Sequence, residues 1–331
     1  MRRALFAGLG LACLALAGAG DALAQAARPD GPRPFAVRPG FENARQSEFL
    51  RTPTASHVHY RYAWTQPDGT PETIAFAFER ATVERLRDAF EGFDPARLGD
   101  AAYGAAVEAA KRARADVRLS LRRSARGIEV EAEGTNETAM RGELARVQDA
   151  WTRAKTEALA KAGMIERAQN VVEVDLLRQV GDYVSVMRPL AEAFAARTRG
   201  LDDRFVVELL LGFFQSIPYQ DIEPPRGRGF RTPIGLIETN GGDCDTKSVA
   251  FAATLRALRP GLGLALVAIE HHVLAAAELP PAGGEYWLRL SGRTFLFMEP
   301  VGPGLLPIGR VGQETRKEVA AGRYRVLVVP Q

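Results

Sequence analysis

The hydrophobic period of the chain changes at Gly261, and this change constrains the fold more than any other sequence feature. Residues 240–258 place apolar side chains at helical spacing, and Arg-Pro-Gly at 259–261 ends the pattern. The segments that follow have the length and apolar pattern of strands: 262–269, 271–279, 285–290 and 294–299. A helix followed by strands with short turns predicts one helix packed on an antiparallel sheet.

Two further hairpins are predicted nearer the N-terminus. Their alternating strands are 57–64 with 73–78 and 116–123 with 128–134. Apolar residues at steps of three and four predict a long helix from Glu137 to Lys161. We therefore expect an α+β fold, with an N-terminal α+β domain over 56–165 and a second domain over 175–331.

The first residues have the order of a cleaved secretory signal. Two arginines precede an apolar stretch, and Ala-Leu-Ala at 22–24 supplies small residues for cleavage after Ala24. Cys13 leaves open a lipoprotein signal. We expect a signal peptide at 1–24, a disordered or extended lead-in at 25–55, and a periplasmic or secreted protein.

Composition and charge exclude some partners. The formal net charge is +3, and signal cleavage removes two arginines and one aspartate, so the charge stays close to zero. No run of basic residues interleaved with aromatic residues is present, which argues against nucleic acid as a partner. After the signal, no stretch of eighteen apolar residues follows, so we expect no membrane span.

Signal cleavage would leave Cys244 as the only cysteine. An unpaired cysteine in an exported chain is either a small buried hydrophobe or a reactive group. Asp243 is placed to cap the helix, so Cys244 would lie in its first turn, where free N–H groups and the helix dipole favour a thiolate. Gly242 would let a substrate approach closely, and the same N–H groups could hold an oxyanion.

A catalytic thiol also needs a base and a group that orients the base. His271 and His272 are the histidines of the second half, at the head of a strand, and Glu299 ends a later strand of the same sheet. Cysteine, histidine and carboxylate in these places would make a nucleophile, a base and an orienting group.

Three segments carry a resemblance to a known family: FFQSIPYQD (213–221), GGDCDTKS (241–248), and a His-Val strand followed by FMEP (297–300). With them, residues 187–310 resemble the transglutaminase-like, papain-fold cysteine peptidase superfamily. The resemblance implies a nucleophile-bearing helix packed on an antiparallel sheet. It implies Cys244 as nucleophile, His272 as base because Val273 follows it, and Glu299 as orienting group.

The resemblance also marks neighbours of this triad. Gln215 falls in the matching Gln-Ser-Ile-Pro-Tyr element, and with Gly242 and Asp243 it is a candidate for the oxyanion site or the cleft. Two positions depart from the family pattern. Thr246 stands where many members have an acidic residue, and Val301 stands where many have threonine after the strand-end acid.

The resemblance implies acyl transfer on a protein or peptide substrate, with a cell-envelope component as one candidate and water as the usual acceptor. No metal or organic cofactor is required. His57 and His59 share a strand face, as in some zinc sites, but no third ligand has metal spacing, so a solvated strand face is expected. Two alternatives stay open: a non-catalytic peptide- or cell-wall-binding module, and an inhibitory or targeting role for the N-terminal domain.

Overall fold

The computed structural model describes residues 14–17, 45–124, 127–168, 171–222, 229–302 and 304–331. Its helices are α1 Arg80–Leu86, α2 Pro95–Lys111, α3 Glu137–Lys161, α4 Leu176–Val184, α5 Arg188–Arg197, α6 Asp203–Ser216, α7 Pro233–Thr239, α8 Cys244–Leu258 and α9 Gln313–Ala320. Its strands are β1 Leu14–Ala17, β2 Gln46–Pro53, β3 His57–Thr65, β4 Pro71–Glu79, β5 Val117–Ser124, β6 Gly127–Gly134, β7 Met164–Ala168, β8 Val171–Val174, β9 Leu264–Ile269, β10 His272–Glu278, β11 Trp287–Leu290, β12 Arg293–Met298 and β13 Arg325–Val328. Helices together with antiparallel sheets confirm the α+β class.

The described chain divides into two compact units. Unit 1 consists of residues 14–17 and 92–175, and unit 2 consists of residues 45–91 and 176–331. Apart from 14–17, the expected signal peptide lies outside the described residues, as does the expected lead-in before residue 45.

Unit 1 packs two helices on a small sheet. The sheet has the order β1-β6-β5, and β7 pairs with β8 in a separate hairpin. Helix α3 has the predicted bounds, and Asn136 caps it by accepting from the N–H of Ala139. Its residues Leu144, Val147 and Trp151 are buried against apolar residues of α2, β5 and β6. This apolar stripe at helical spacing gives the unit its own core.

Unit 2 is built around a five-stranded antiparallel sheet with the order β11-β12-β10-β9-β13. Strands β9 to β12 follow one another at the positions that the change of period predicts. Helix α8 packs against β9 and β10, and nearly all of its side chains are buried. The predicted arrangement of one helix on an antiparallel sheet is therefore present.

The first hairpin belongs to unit 2, which differs from the domain expected at 56–165. Strands β2, β3 and β4 form a three-stranded sheet whose inner face is aromatic. The Tyr62 ring lies 5.0 Å from that of Phe213 in α6, and its hydroxyl donates to the carbonyl of Ile237 at 3.0 Å. Tyr60 and Arg51 both donate to the buried carboxylate of Glu238 in α7. These apolar and polar contacts hold the sheet to the C-terminal helices.

Among the described residues, none of the helices has the length and apolar character that crossing a membrane requires.

Candidate active site

The start of α8 follows the cap geometry that the sequence predicts. Asp243 is the N-cap residue, and its Oδ1 accepts from the N–H of Thr246 at 3.0 Å. Cys244 is the first residue of the helix. Asn240, just upstream, ends α7 in the left-handed conformation with φ of 50°, and its side chain exchanges two hydrogen bonds with Gln46 of β2. The thiol therefore lies at the N-terminus of α8, shortly after a turn that the Asn240–Gln46 hydrogen bonds hold in place.

Gly242 lies where the loop before the thiol passes close to other parts of unit 2. Its N–H donates to the carbonyl of Pro218 at 3.4 Å, and its carbonyl accepts from the N–H of Gln220 at 3.1 Å. A Cβ here would come within 2.5 Å of Leu236 Cδ1, so packing requires a glycine. Because its N–H is already bonded, Gly242 shapes the loop and does not serve as an oxyanion donor in this arrangement.

Cys244 is a buried thiol, only 5% exposed. Its Sγ lies 3.2 Å from Oδ1 of Asp245, the next residue. Ser248, one turn further along α8 and on the same face as Cys244, donates to the carbonyl of Val273 at 2.8 Å. The thiol face of α8 therefore lies against the first residues of β10, where the predicted base stands.

The structure separates the two adjacent histidines. His272 begins β10 and is 3% exposed, whereas His271 lies in the preceding turn with its side chain 53% exposed. Successive residues of an extended segment point to opposite sides. His272 is therefore the histidine that the fold directs inward, beside Val273 and the start of α8.

Glu299 shares a sheet face with His272. Ala275 pairs with Met298, the last residue of β12, and continuing this register by one residue would place Glu299 opposite Leu274. Leu274 and His272 lie two residues apart on one face, which makes His272 and Glu299 diagonal neighbours. Glu299 is 4% exposed, and its Oε1 accepts from the N–H of Gly312 at 2.9 Å and from the hydroxyl of Thr315 at 2.6 Å.

Gln215 lies beneath the site and not in an oxyanion position. Its Nε2 donates to the carbonyls of Glu299 at 2.9 Å and Leu306 at 2.8 Å, which uses both of its N–H groups. Its side chain is fully buried. Gln215 therefore holds the end of β12 in place, which is a different role from the oxyanion donor that the sequence left open.

Tyr219 lies at the edge of the site. It is partly exposed, and its hydroxyl donates to Asp221 at 3.0 Å. Burial raises its pKa, and the nearby Cys244 raises it further. Among the residues of the Gln-Ser-Ile-Pro-Tyr element, Tyr219 is therefore near enough to Cys244 to interact with it electrostatically.

The electrostatics of the thiol differ from the expected depressed pKa. Burial raises the pKa of Cys244, and Asp245 and Asp243 raise it further, while the N–H of Val273 opposes them. Burial also lowers the pKa of His272, against the attraction of Glu299 and Asp245. Both effects favour a neutral thiol beside a neutral imidazole. The sequence pattern did not predict these two pKa shifts, because the burial that causes them depends on the whole fold.

Lys247 is a buried cation that sequence reasoning did not single out. Its side chain is fully buried in α8, and its Nζ donates to the carbonyl of Ile217 at 2.6 Å. Burial lowers its pKa from 10.5 to about 7. The bond fixes the segment that continues into Pro218 and Tyr219, and so connects α8 to the residue that acts on Cys244.

Replacing Lys247 with methionine should remove a pH-dependent part of the stability. In the unaltered protein Lys247 loses its proton near pH 7 when folded and near 10.5 when unfolded. Between these values the unfolded chain binds more protons, so the free energy of unfolding rises with pH, by on the order of 4 kcal/mol. Urea unfolding of both proteins from pH 6 to 10 measures the difference, which should grow across this window.

The matched control for this measurement is Lys317→Met, at an exposed position of α9. Its unfolding free energy should run parallel to that of the unaltered protein at every pH. A Lys247→Met curve that also runs parallel contradicts a lowered Lys247 pKa.

The two N-terminal histidines lie on an exposed strand face. His57 and His59 are exposed on one face of β3, with ring centroids 6.1 Å apart. Within the part of the chain that the structure describes, no group of three histidine, cysteine or acidic side chains has metal-binding geometry.

Comparison of the chain with family models, with curated proteins and with solved structures gives no match. Function is therefore inferred from the site itself.

Proposed function

We propose that this chain is an exported cysteine-dependent acyl-transfer enzyme, a peptidase or amidase of the transglutaminase-like, papain-fold type. The observation that carries the proposal is the placement of Cys244. It begins a helix whose first two turns contact the backbone of Val273, the residue after His272, and the charge of Glu299 acts on the imidazole of His272. Nucleophile, base and orienting carboxylate in this order suit attack on a carbonyl carbon.

The reaction proceeds in two balanced steps. His272 takes the thiol proton as the sulfur of Cys244 bonds to the carbonyl carbon of a peptide or side-chain amide. The backbone N–H of Cys244, in the first helical turn without an intrahelical acceptor, is placed to stabilise the oxyanion. The C–N bond breaks, the imidazolium gives its proton to the departing amine, and a thioester remains. Water then attacks the thioester carbon as His272 takes one of its protons. The C–S bond breaks, a carboxylic acid leaves, and the imidazolium returns the proton to the sulfur of Cys244.

Because the Cys244 thiol and the His272 imidazole are both uncharged before the reaction, His272 acts as a general base during the attack. Burial favours an uncharged thiol and an uncharged imidazole in the resting site. The proton therefore moves as the substrate reacts, and Glu299 stabilises the imidazolium that forms. No cofactor takes part in these steps.

A simple acyl donor tests the proposal. With p-nitrophenyl acetate under reducing conditions, the unaltered protein should release p-nitrophenolate and carry one acetyl group on Cys244, located by peptide mass spectrometry. Cys244→Ala should lose this acetyl group. Acetylation confined to lysines, and equal in both proteins, would overturn the proposal.

The second candidate function is a non-catalytic peptide- or cell-wall-binding module. The observation that favours it is the burial of Cys244, at 5% exposure, with a raised pKa. A binding module needs no acyl-enzyme, so the absence of acetyl-Cys244 in the same experiment would favour it.

A further inference from the structure

The first turn of α9 contacts the carboxylate of Glu299 directly. Gly312 is the N-cap residue of α9, and Thr315 is the third residue of the helix. Both donate to the same oxygen, Oε1 of Glu299, at 2.9 and 2.6 Å. Thr315 is fully buried, so its hydroxyl has no competing contact with bulk water. These bonds leave the second oxygen, Oε2, for another partner.

The Glu299 carboxylate makes a hydrogen bond to the helix N-terminus that a side chain of the helix itself often makes. In a capping box, a glutamate or glutamine at the third helical position bonds the N–H of the N-cap residue. Here the third position is Thr315, the N-cap residue is a glycine without a capping side chain, and Glu299 of another element bonds that N–H. The positive end of a helix also favours a carboxylate at this point.

The same carboxylate acts electrostatically on the proposed base. Glu299 and His272 are diagonal neighbours on one sheet face, and the charge of Glu299 acts on the imidazole. The side-chain amide of Gln215 holds the backbone of Glu299 by donating to the Glu299 carbonyl. With the backbone fixed, the direction of the carboxylate depends on what holds Oε1, and that is α9.

Building on the proposed function, we propose that Thr315 is a positioning residue, which with the N–H of Gly312 turns the carboxylate of Glu299 toward His272. The threonine acts through Glu299 and has no contact with the substrate in this role. Loss of its hydroxyl removes one of two bonds to Oε1 and lets the carboxylate turn away from the imidazole. A charge-assisted bond of this length is among the stronger kinds.

The test compares Thr315→Val, which removes the hydroxyl and keeps the shape, with Thr315→Ser, which keeps the hydroxyl. Thr198→Val is the matched control, since Thr198 is also fully buried and its hydroxyl makes one bond, to Phe194, at 2.8 Å. Two quantities are measured in each protein. They are the rate of acetylation of Cys244, and the pKa of His272 from NMR titration of its ring C–H signal, assigned by its loss in His272→Ala.

We expect Thr315→Val to lower the pKa of His272 and to slow acetylation about tenfold. Thr315→Ser should restore both, and Thr198→Val should change neither. If Thr315→Val does not fold, Thr315→Ala takes its place. A hydroxyl-free variant with an unchanged His272 pKa overturns the proposal and leaves Thr315 a structural residue.

The two readouts separate this proposal from the function on which it rests. The NMR titration reports the direction of Glu299 whether or not Cys244 accepts an acetyl group. An unacetylated protein in which Thr315→Val still lowers the His272 pKa keeps the positioning role and rejects acyl transfer. If Cys244 is acetylated but the His272 pKa is the same with and without the Thr315 hydroxyl, acyl transfer is kept and the positioning role is rejected.

Discussion

Replacing His272 with alanine should slow acetylation of Cys244 by p-nitrophenyl acetate about 10²–10⁴-fold, the usual contribution of a positioned general base. Burial keeps the thiol neutral, so attack requires a group that accepts its proton at that moment. His272, buried beside the start of α8, is that group in the proposed mechanism. The rate is measured by p-nitrophenolate release at pH 7, with peptide mass spectrometry to confirm the acetylated residue.

His271→Ala is the control for this substitution. His271 is the preceding residue, but its side chain is 53% exposed, so acetylation should stay within about twofold of the unaltered rate. Urea unfolding of both variants checks that the fold is retained. Equal losses of rate in the two variants would contradict the assignment of His272 as base.

A chain that begins at residue 92 should fail to form unit 2, whereas a chain that begins at Arg45 should fold. The shorter chain lacks β2, β3 and β4, and with them a set of buried aromatic side chains: Tyr60, Tyr62, Trp64, Phe76 and Phe78. Truncating one such side chain costs about 3–5 kcal/mol. Their combined loss exceeds the roughly 5–15 kcal/mol by which a typical domain is stable.

Near-ultraviolet circular dichroism and urea unfolding measure this difference, with acetylation of Cys244 as a functional readout. The chain from Arg45 should show cooperative unfolding of unit 2 and an acetylated Cys244. The chain from residue 92 should show no cooperative unfolding of unit 2 and no acetylated Cys244. If the shorter chain is acetylated at the full rate, the first hairpin is dispensable. A fragment that begins at residue 175 lacks the same strands, so a test of the inhibitory-domain alternative must retain residues 45–91.

Elements with strong local signals could be predicted from the sequence. The apolar steps and the Asn136 cap fix α3, and the Asp243 cap with the following apolar residues fixes the start of α8. The change of period at Gly261 identifies the strands that hold His272 and precede Glu299. In each case the residues that decide the structure lie within a few positions of one another.

Features that depend on distant contacts could not be predicted. The first hairpin has the pattern of any half-buried hairpin, and its place in unit 2 rests on Tyr62 meeting Ile237, 175 residues away. The segment after Glu299 has no hydroxyl-bearing residue at Val301, and Thr315 brings a hydroxyl to the carboxylate from another helix. The raised thiol pKa likewise follows from burial by the whole fold.

The two hydrogen bonds between the side-chain amides of Gln46 and Asn240 have a consequence for the order in which the site can form. They join the turn before the thiol to a strand 194 residues earlier, and Gln215 reaches 84 residues forward to Glu299. Contacts between residues so distant in sequence can form only after the whole intervening chain has been made. During synthesis from the N-terminus, Cys244 therefore emerges before Glu299 and Thr315 have been made. The site around Cys244 is completed only after the C-terminal segment of the chain has arrived.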